Sequence, residues 1–331
     1  MIITKTPYRI SFFGGGSDYP DWFNSNTNYG EVISTTIDKY LYLTLRDLPD
    51  FFGFKYRASY SKIEESNSIS NIEHRAIRGA IRYFSLNSAE IHYVGDLPSR
   101  SGMGSSSSFV VGLIKAIYAL KKKNINKKKL AMKSIFFENS YLNEIVGVQD
   151  QIAASYGGFN IIKFQNDKFT INPVNQKSSF FKKLNSNLVL LYTGQSRISQ
   201  KISRTFVKKI ANEKKKSILK ILDHVNQAKV YINKNAPDDF GDLLNETWIE
   251  KKKLSSFISN HHIDSLYQKA IKFGALGGKL LGAGGGGFLL FYVPEKKRNF
   301  FLKKFIDNVI VPFNFSTEGS SIVFDNNIKK I

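Results

Sequence analysis

The sequence predicts a two-domain α+β protein, on three observations. Segments rich in β-forming residues alternate with segments of helical periodicity in both halves of the 331 residues. Three glycine-rich loops punctuate the chain near its start, middle and end. No cysteine is present, which excludes a disulfide framework and any thiolate metal site.

Residues 2–15 and 31–46 read as strands, the second carrying Val32, Ile33, Thr35, Ile37 and the run Leu41-Tyr42-Leu43-Thr44-Leu45. A helix with a basic face is expected from about Glu73 to Phe84, and Ile91 and Tyr93 alternate with polar neighbours as a strand. That strand leads into a Gly/Ser loop, beyond which Val110, Leu113, Ile114, Ile117 and Leu120 recur at helical spacing. A further helix is expected over 128–142, and Gly157-Gly158 precedes a strand at Phe159-Asn160-Ile161-Ile162. In the second half, Leu188 to Tyr192 reads as a short buried strand and Lys-rich helices are expected over 198–234 and 238–258. Another helix precedes the third glycine-rich loop, and a buried strand, Phe288 to Val293, runs out of it. The expected units are 1–178 and 179–331.

The formal charge is +21, but the lysines are dispersed in short clusters such as Lys121 to Lys123 and Lys251 to Lys253. A nucleic-acid binder would gather its basic residues on one face with aromatics between them, so nucleic acid is not the expected partner. The positive field instead suits small anionic substrates. No apolar run approaches membrane-spanning length and the N-terminus lacks a signal-peptide core, so a cytoplasmic protein without membrane contact is expected. Monomer and homodimer both remain open.

The central loop is Leu97-Pro98-Ser99-Arg100-Ser101-Gly102-Met103-Gly104-Ser105-Ser106-Ser107-Ser108. Its glycines bring bare N–H groups together, and the helix that follows adds its positive end, so the loop is built to hold an anion such as a phosphate chain. A Walker loop requires Lys where Ser105 stands, and a dinucleotide fingerprint requires a third Gly where Ser107 stands. What remains is a hydroxyl-rich nucleotide-phosphate loop, suited to Mg²⁺ as well as phosphate.

The pattern Pro98-x(3)-Gly102-x-Gly104-Ser105-Ser106 resembles the second motif of the GHMP kinases. The runs from Pro7 to Pro20 and from Gly277 to Phe288 resemble that family's first and third motifs, in the family's order. The resemblance implies an N-terminal domain like ribosomal protein S5 domain 2, a ferredoxin-like C-terminal domain, and an active site in the cleft between them. It also implies ATP cradled by Pro98, Ser101, Gly102, Met103, Gly104, Ser105, Ser106 and Ser107, with Mg²⁺ held by Ser106 and Glu138. Asp150, in Gly147-Val148-Gln149-Asp150-Gln151, follows Glu138 by the twelve residues of galactokinase-type members and matches their catalytic base. Arg9 would sit beside it and balance developing charge.

For the acceptor, the resemblance points to Arg9, Gly15, Gly16, Ser17, Asp18, Asp150, Thr193, Gly194, Arg197, Gly284 and Gly285. Gly14-Gly15-Gly16-Ser17-Asp18 replaces the Gly-Glu-His-Thr-Asp of galactokinases, which argues against galactose. This version, with Tyr192 to Arg197 and Gly278-Lys279-Leu280, is most similar to the branch of the family that takes a heptose 7-phosphate. Phosphorylation of D-glycero-α-D-manno-heptose 7-phosphate at O1 to the 1,7-bisphosphate is therefore implied, on a route to GDP-heptose for surface (capsule) polysaccharide. Fucose, galactose and N-acetylhexosamine 1-kinases are the alternatives, followed by a non-catalytic sugar or nucleotide sensor. Arg75, Arg78 and Arg82 recur at helical spacing and are, with Arg197, candidates for gripping the 7-phosphate. An ordinary solvated face is the competing reading for the helix trio.

Overall fold

A computed structural model describes residues 1–25, 28–195 and 199–326. Its first half is organised by a long antiparallel ribbon of β1 (Ile2–Phe13) and β2 (Gly30–Arg46), with the short α1 (Pro20–Phe23) between them. β3 (Tyr56–Ser59), β4 (Ile63–Ser66), α2 (Arg75–Tyr83) and β5 (Ala89–Gly95) follow. Next come α3 (Ser105–Leu120), α4 (Lys127–Phe136), α5 (Gln149–Tyr156) and the hairpin of β6 (Phe159–Gln165) and β7 (Lys168–Pro173). Besides β1, β2 is long enough to serve both β6 and β5 along its length: Gly30 to Thr35 pairs with β6, and Leu41 to Arg46 with β5.

The second half runs α6 (Ser179–Asn187), β8 (Leu188–Tyr192), α7 (Ser199–Phe206), α8 (Lys215–Asn233), α9 (Pro237–Lys252) and α10 (His261–Lys272). It continues through β9 (Gly277–Leu280), β10 (Phe288–Tyr292), α11 (Glu295–Lys304) and β11 (Ile310–Val311). The four strands form an antiparallel sheet in the order β11-β8-β10-β9. The expected two-domain α+β architecture is present.

β1 alternates buried and half-buried residues at its start, then is buried continuously from Thr6 to Phe13. The change has a cause: helices from both halves pack on that stretch, α3 and α5 from the first and α8 and α9 from the second. The Phe240 ring meets Phe12 at 5.4 Å and Phe13 at 4.8 Å between centroids, both edge-on. Such pairs contribute about 0.5–1.5 kcal/mol each beyond area burial, so the two halves share one core.

Three expectations need correction. The helix over 198–234 is broken: α7 ends at Phe206, one 3₁₀ turn spans Val207–Lys209, and α8 starts at Lys215. The turn lets Phe206, Val207 and Ile210 all reach the core, and no glycine or proline marks it. The helix over 128–142 changes character at Phe137–Tyr141, a single π turn closed by Leu142 N–H donating to the Phe137 carbonyl at 2.8 Å. Finally, the expected unit 179–331 gives two strands to the other half's sheet, so the first half draws on residues from both sides of the expected boundary. β12 (Phe315–Ser316) pairs with β2, and β13 (Ser321–Asp325) pairs with β1, so these strands complete the first half's nine-stranded sheet. β13 supplies partners for an edge of β1 that would otherwise be open. Among the described residues no helix is long and apolar enough to cross a membrane.

Candidate active site

A cavity of about 430 Å³ lies between the halves, walled by the loop before α3, the turn after β1, the start of α5, the end of α9 and the loop after β9. Ser105, Ser106 and Ser107 line it at the first turn of α3, which begins at Gly104 with no side-chain cap. The first N–H groups of that helix therefore lack intrahelical partners and give the wall an electropositive face. Gly104 has φ +78°, and a Cβ there would stand 3.3 Å from Arg9 Cγ and 3.4 Å from Asp150 Oδ2. Glycine thus lets the loop lie directly over that ion pair.

The loop is pinned to β1 where the β1–β2 register shifts between Pro7 and Arg9. Arg9 N–H donates to the Met103 carbonyl at 3.1 Å, and Ser108 Oγ donates to the Pro7 carbonyl at 2.9 Å. Met103 and Ser101 are buried and anchor the loop, whereas Pro98 is exposed. Of the expected cradle, Gly102 and Gly104 to Ser107 line the cavity.

Arg9 and Asp150 meet across 141 residues of chain. Arg9 Nε donates to Asp150 Oδ1 and Nη2 to Oδ2, both at 2.7 Å, while Nη1 donates to the Gly102 carbonyl at 2.7 Å. This fork fixes the carboxylate plane and ties it to the Gly/Ser loop. Asp18 lies nearby, accepting Gly16 N–H at 3.0 Å and Gln149 Nε2–H at 2.9 Å. Burial, then the charge of Asp150, push its carboxyl up from the usual range.

Glu138 sits on the π turn and is fully buried. Gln151 Nε2 donates to its Oε2 at 2.5 Å and Ser106 Oγ to its Oε1 at 3.3 Å. Burial pushes the carboxyl up to about 8. A desolvated carboxylate beside a hydroxyl at the first turn of α3 is an all-oxygen donor set of the kind Mg²⁺ takes, and a divalent cation would relieve the burial cost.

Other expected residues are placed differently. Gly15 and Gly16 line the cavity, but Ser17 Oγ donates to the Gly14 carbonyl at 2.7 Å and braces the turn from behind. Thr193 Oγ1 donates to the Gly287 carbonyl at 2.8 Å, and Gly285 N–H to the Ile258 carbonyl at 2.8 Å. Thr193, Gly194, Gly284 and Gly285 accordingly do not wall the cavity but surround or form the third glycine-rich loop. Arg197 lies outside the described residues. Of the helix arginines only Arg75 reaches the cavity, donating to the Leu142 carbonyl at 2.6 Å. Arg78 turns back to the Ile72 carbonyl at 2.5 Å, and Arg82 is exposed away from the site.

Two lysines also line the cavity, Lys251 and Lys279; Lys279 lies in the Gly278-Lys279-Leu280 run that carries the resemblance, but neither is among the expected site residues. Lys251 lies in a lysine run that reads as solvated, yet it continues the buried stripe Phe240, Leu244, Trp248 at helical spacing. That periodicity was the available signal.

Models of the GHMP kinase N-terminal and C-terminal domains match residues 71–158 and 228–308. A D-glycero-alpha-D-manno-heptose 7-phosphate kinase of Campylobacter jejuni is 32% identical across 96% of this chain and 97% of that protein. The chain belongs to the GHMP kinases. A galactokinase of Pyrococcus furiosus is 24% identical over 86% of each chain. The crystal structure of a D-glycero-D-manno-heptose 1-phosphate kinase from Bacteroides thetaiotaomicron has the same fold. It aligns with a TM-score of 0.77 at 24% identity, over 99% of this chain and 100% of that one. The family's order of three glycine-rich motifs thus falls on one GHMP kinase cleft, and the activity class is that of a GHMP-type sugar kinase.

Proposed function

We propose that this protein transfers the γ-phosphoryl group of ATP to O1 of D-glycero-α-D-manno-heptose 7-phosphate, giving the 1,7-bisphosphate and ADP. The observation that carries the reading is the Arg9–Asp150 fork lying under the phosphate loop in the cleft. The heptose acceptor is supported by the Campylobacter jejuni relative.

Each Asp150 oxygen spends one lone pair on Arg9, which leaves the others for an acceptor hydroxyl. Asp150 takes the O1 proton as the O1–P bond forms and the bond from the γ-phosphorus to the bridging oxygen breaks. Arg9 holds the base in one orientation and offsets charge gathering at O1. Asp18 accepts sugar hydroxyls, and Gly15 and Gly16 allow the ring to approach the backbone. Ser105 to Ser107 receive the phosphate chain on their N–H groups and hydroxyls. Ser106 and Glu138 would hold Mg²⁺, which when bound neutralises charge on the phosphates.

ADP release measured with a panel of sugars and sugar phosphates tests the reading. Heptose 7-phosphate should exceed heptose, fucose, galactose and N-acetylhexosamines, with ³¹P NMR showing a new anomeric phosphate. A free sugar as the best acceptor would refute it. For the metal, Glu138→Gln should raise the Mg²⁺ concentration for half-maximal rate by about tenfold or more, since a charged ligand is lost. An Mg²⁺ titration that superimposes on wild type makes Glu138 a structural residue.

A further inference from the structure

We propose that the ammonium groups of Lys251 and Lys279 receive the phosphate that the acceptor already carries. The inference rests on the sugar-phosphate reading above and deepens it. Both side chains line the cleft cavity, and both residues are almost completely buried, at 8% and 3% exposure.

Their present partners are neutral. Lys251 Nζ donates to the Leu280 and Gly282 carbonyls at 2.8 and 2.6 Å, and Lys279 Nζ to the Phe12 carbonyl at 2.7 Å. An ammonium has three N–H bonds. Donors therefore remain on both amines, most of them on Lys279. Among the described residues neither lysine forms an ion pair, whereas Lys252 and Lys253 pair with Asp264 and Glu250. The nearby carboxylates are already engaged: Asp150 by the Arg9 fork, Asp18 by Gln149 and the Gly16 N–H.

Two like charges held together out of water are costly unless a counter-charge arrives. The amines register that cost. Burial, then Arg9, bring Lys251 down to about 7, with Asp18 opposing. Lys279 falls well below the usual lysine range through burial, then Lys251 and Arg9, again with Asp18 opposing. A phosphate dianion supplies the missing charge and several acceptor oxygens at once. The location also suits a substrate that must reach the base. Gly282, whose carbonyl Lys251 holds, packs on Gly102 of the phosphate loop, so one continuous wall runs from the lysines to Asp150. The cationic candidates on α2 do not offer this: Arg78 and Arg82 lie outside the cavity, and Arg75 stands on the first half's wall.

The test compares kcat/KM for heptose 7-phosphate and for unphosphorylated heptose in the wild type and in Lys251→Met, Lys279→Met and Arg75→Met. The wild-type preference for the phosphorylated sugar should fall by about 10- to 100-fold in each lysine variant, as loss of a charged hydrogen bond implies. Equilibrium binding of heptose 7-phosphate without ATP should weaken in parallel. An unchanged preference in the lysine variants, or a loss confined to Arg75→Met, overturns the proposal. Equal losses for both sugars also overturn it, since the amines would then read a hydroxyl. Should the methionine variants fail to fold, NMR of ¹³Cε-lysine-labelled wild type decides. Heptose 7-phosphate, and not heptose, should move the low-titrating amines up by a unit or more; no difference between the two sugars refutes the assignment. A wild type that shows no preference for the phosphorylated sugar refutes the acceptor itself, whatever the variants do.

Discussion

Asp150→Asn should lower kcat by about 10²- to 10⁴-fold with ATP binding retained. The substitution keeps the side-chain shape but removes proton acceptance, and its amide NH₂ would face one arm of the Arg9 fork, donor against donor. Turnover and ATP affinity measured on the same folded sample separate chemistry from binding. Near-normal turnover would remove Asp150 as the base.

Gly282→Ala is expected to damage the site through its backbone wall. Gly282 has φ +70°, and a Cβ would lie 2.5 Å from Gly102 Cα and 2.9 Å from the Gly102 carbonyl oxygen. Backbone faces backbone there, so the third glycine-rich loop must retreat from the Gly/Ser loop before α3, taking an acceptor of Lys251 with it. A misplacement of about 1 Å at a phosphoryl-transfer site costs on the order of 10²-fold in rate, and kcat/KM should fall accordingly. Gly53→Ala is the matched control. Its φ is +76° but nothing lies within 4 Å of the added Cβ. It should lose about 1–2 kcal/mol of stability to backbone strain and keep its activity. Equal kcat/KM losses in the two variants would show that strain, not contact between the loops, governs activity.

What the sequence disclosed followed from how local each signal was. The Gly/Ser loop and the helix after it are contiguous, so their chemistry could be read directly from Gly102 to Leu120. The partnership of Arg9 with Asp150 spans the first domain, and only resemblance to a family joined them before the structure did. Lys251 was hidden because a lysine run looks solvated, although one of its three members faces inward. The π turn that presents Glu138 has no composition signature, and helical periodicity runs through it. β12 and β13 are too short to carry a period, and their place depends on distant strands.

The pairing of β13 with β1 sets a clock on the protein's birth. Ile2 of the strand that bears Arg9 pairs with Asp325 of its outer neighbour, so almost all of the described residues are synthesised between the two. At about 5–20 residues per second, tens of seconds separate the two. Throughout that interval the first domain's sheet has a vacant seat, and any extended segment from another nascent chain can take it. The outer edge of the strand that bears Arg9 thus stays unpaired until β13 has been made, and variants shortened before Ser321 would leave the sheet permanently open to such exchange.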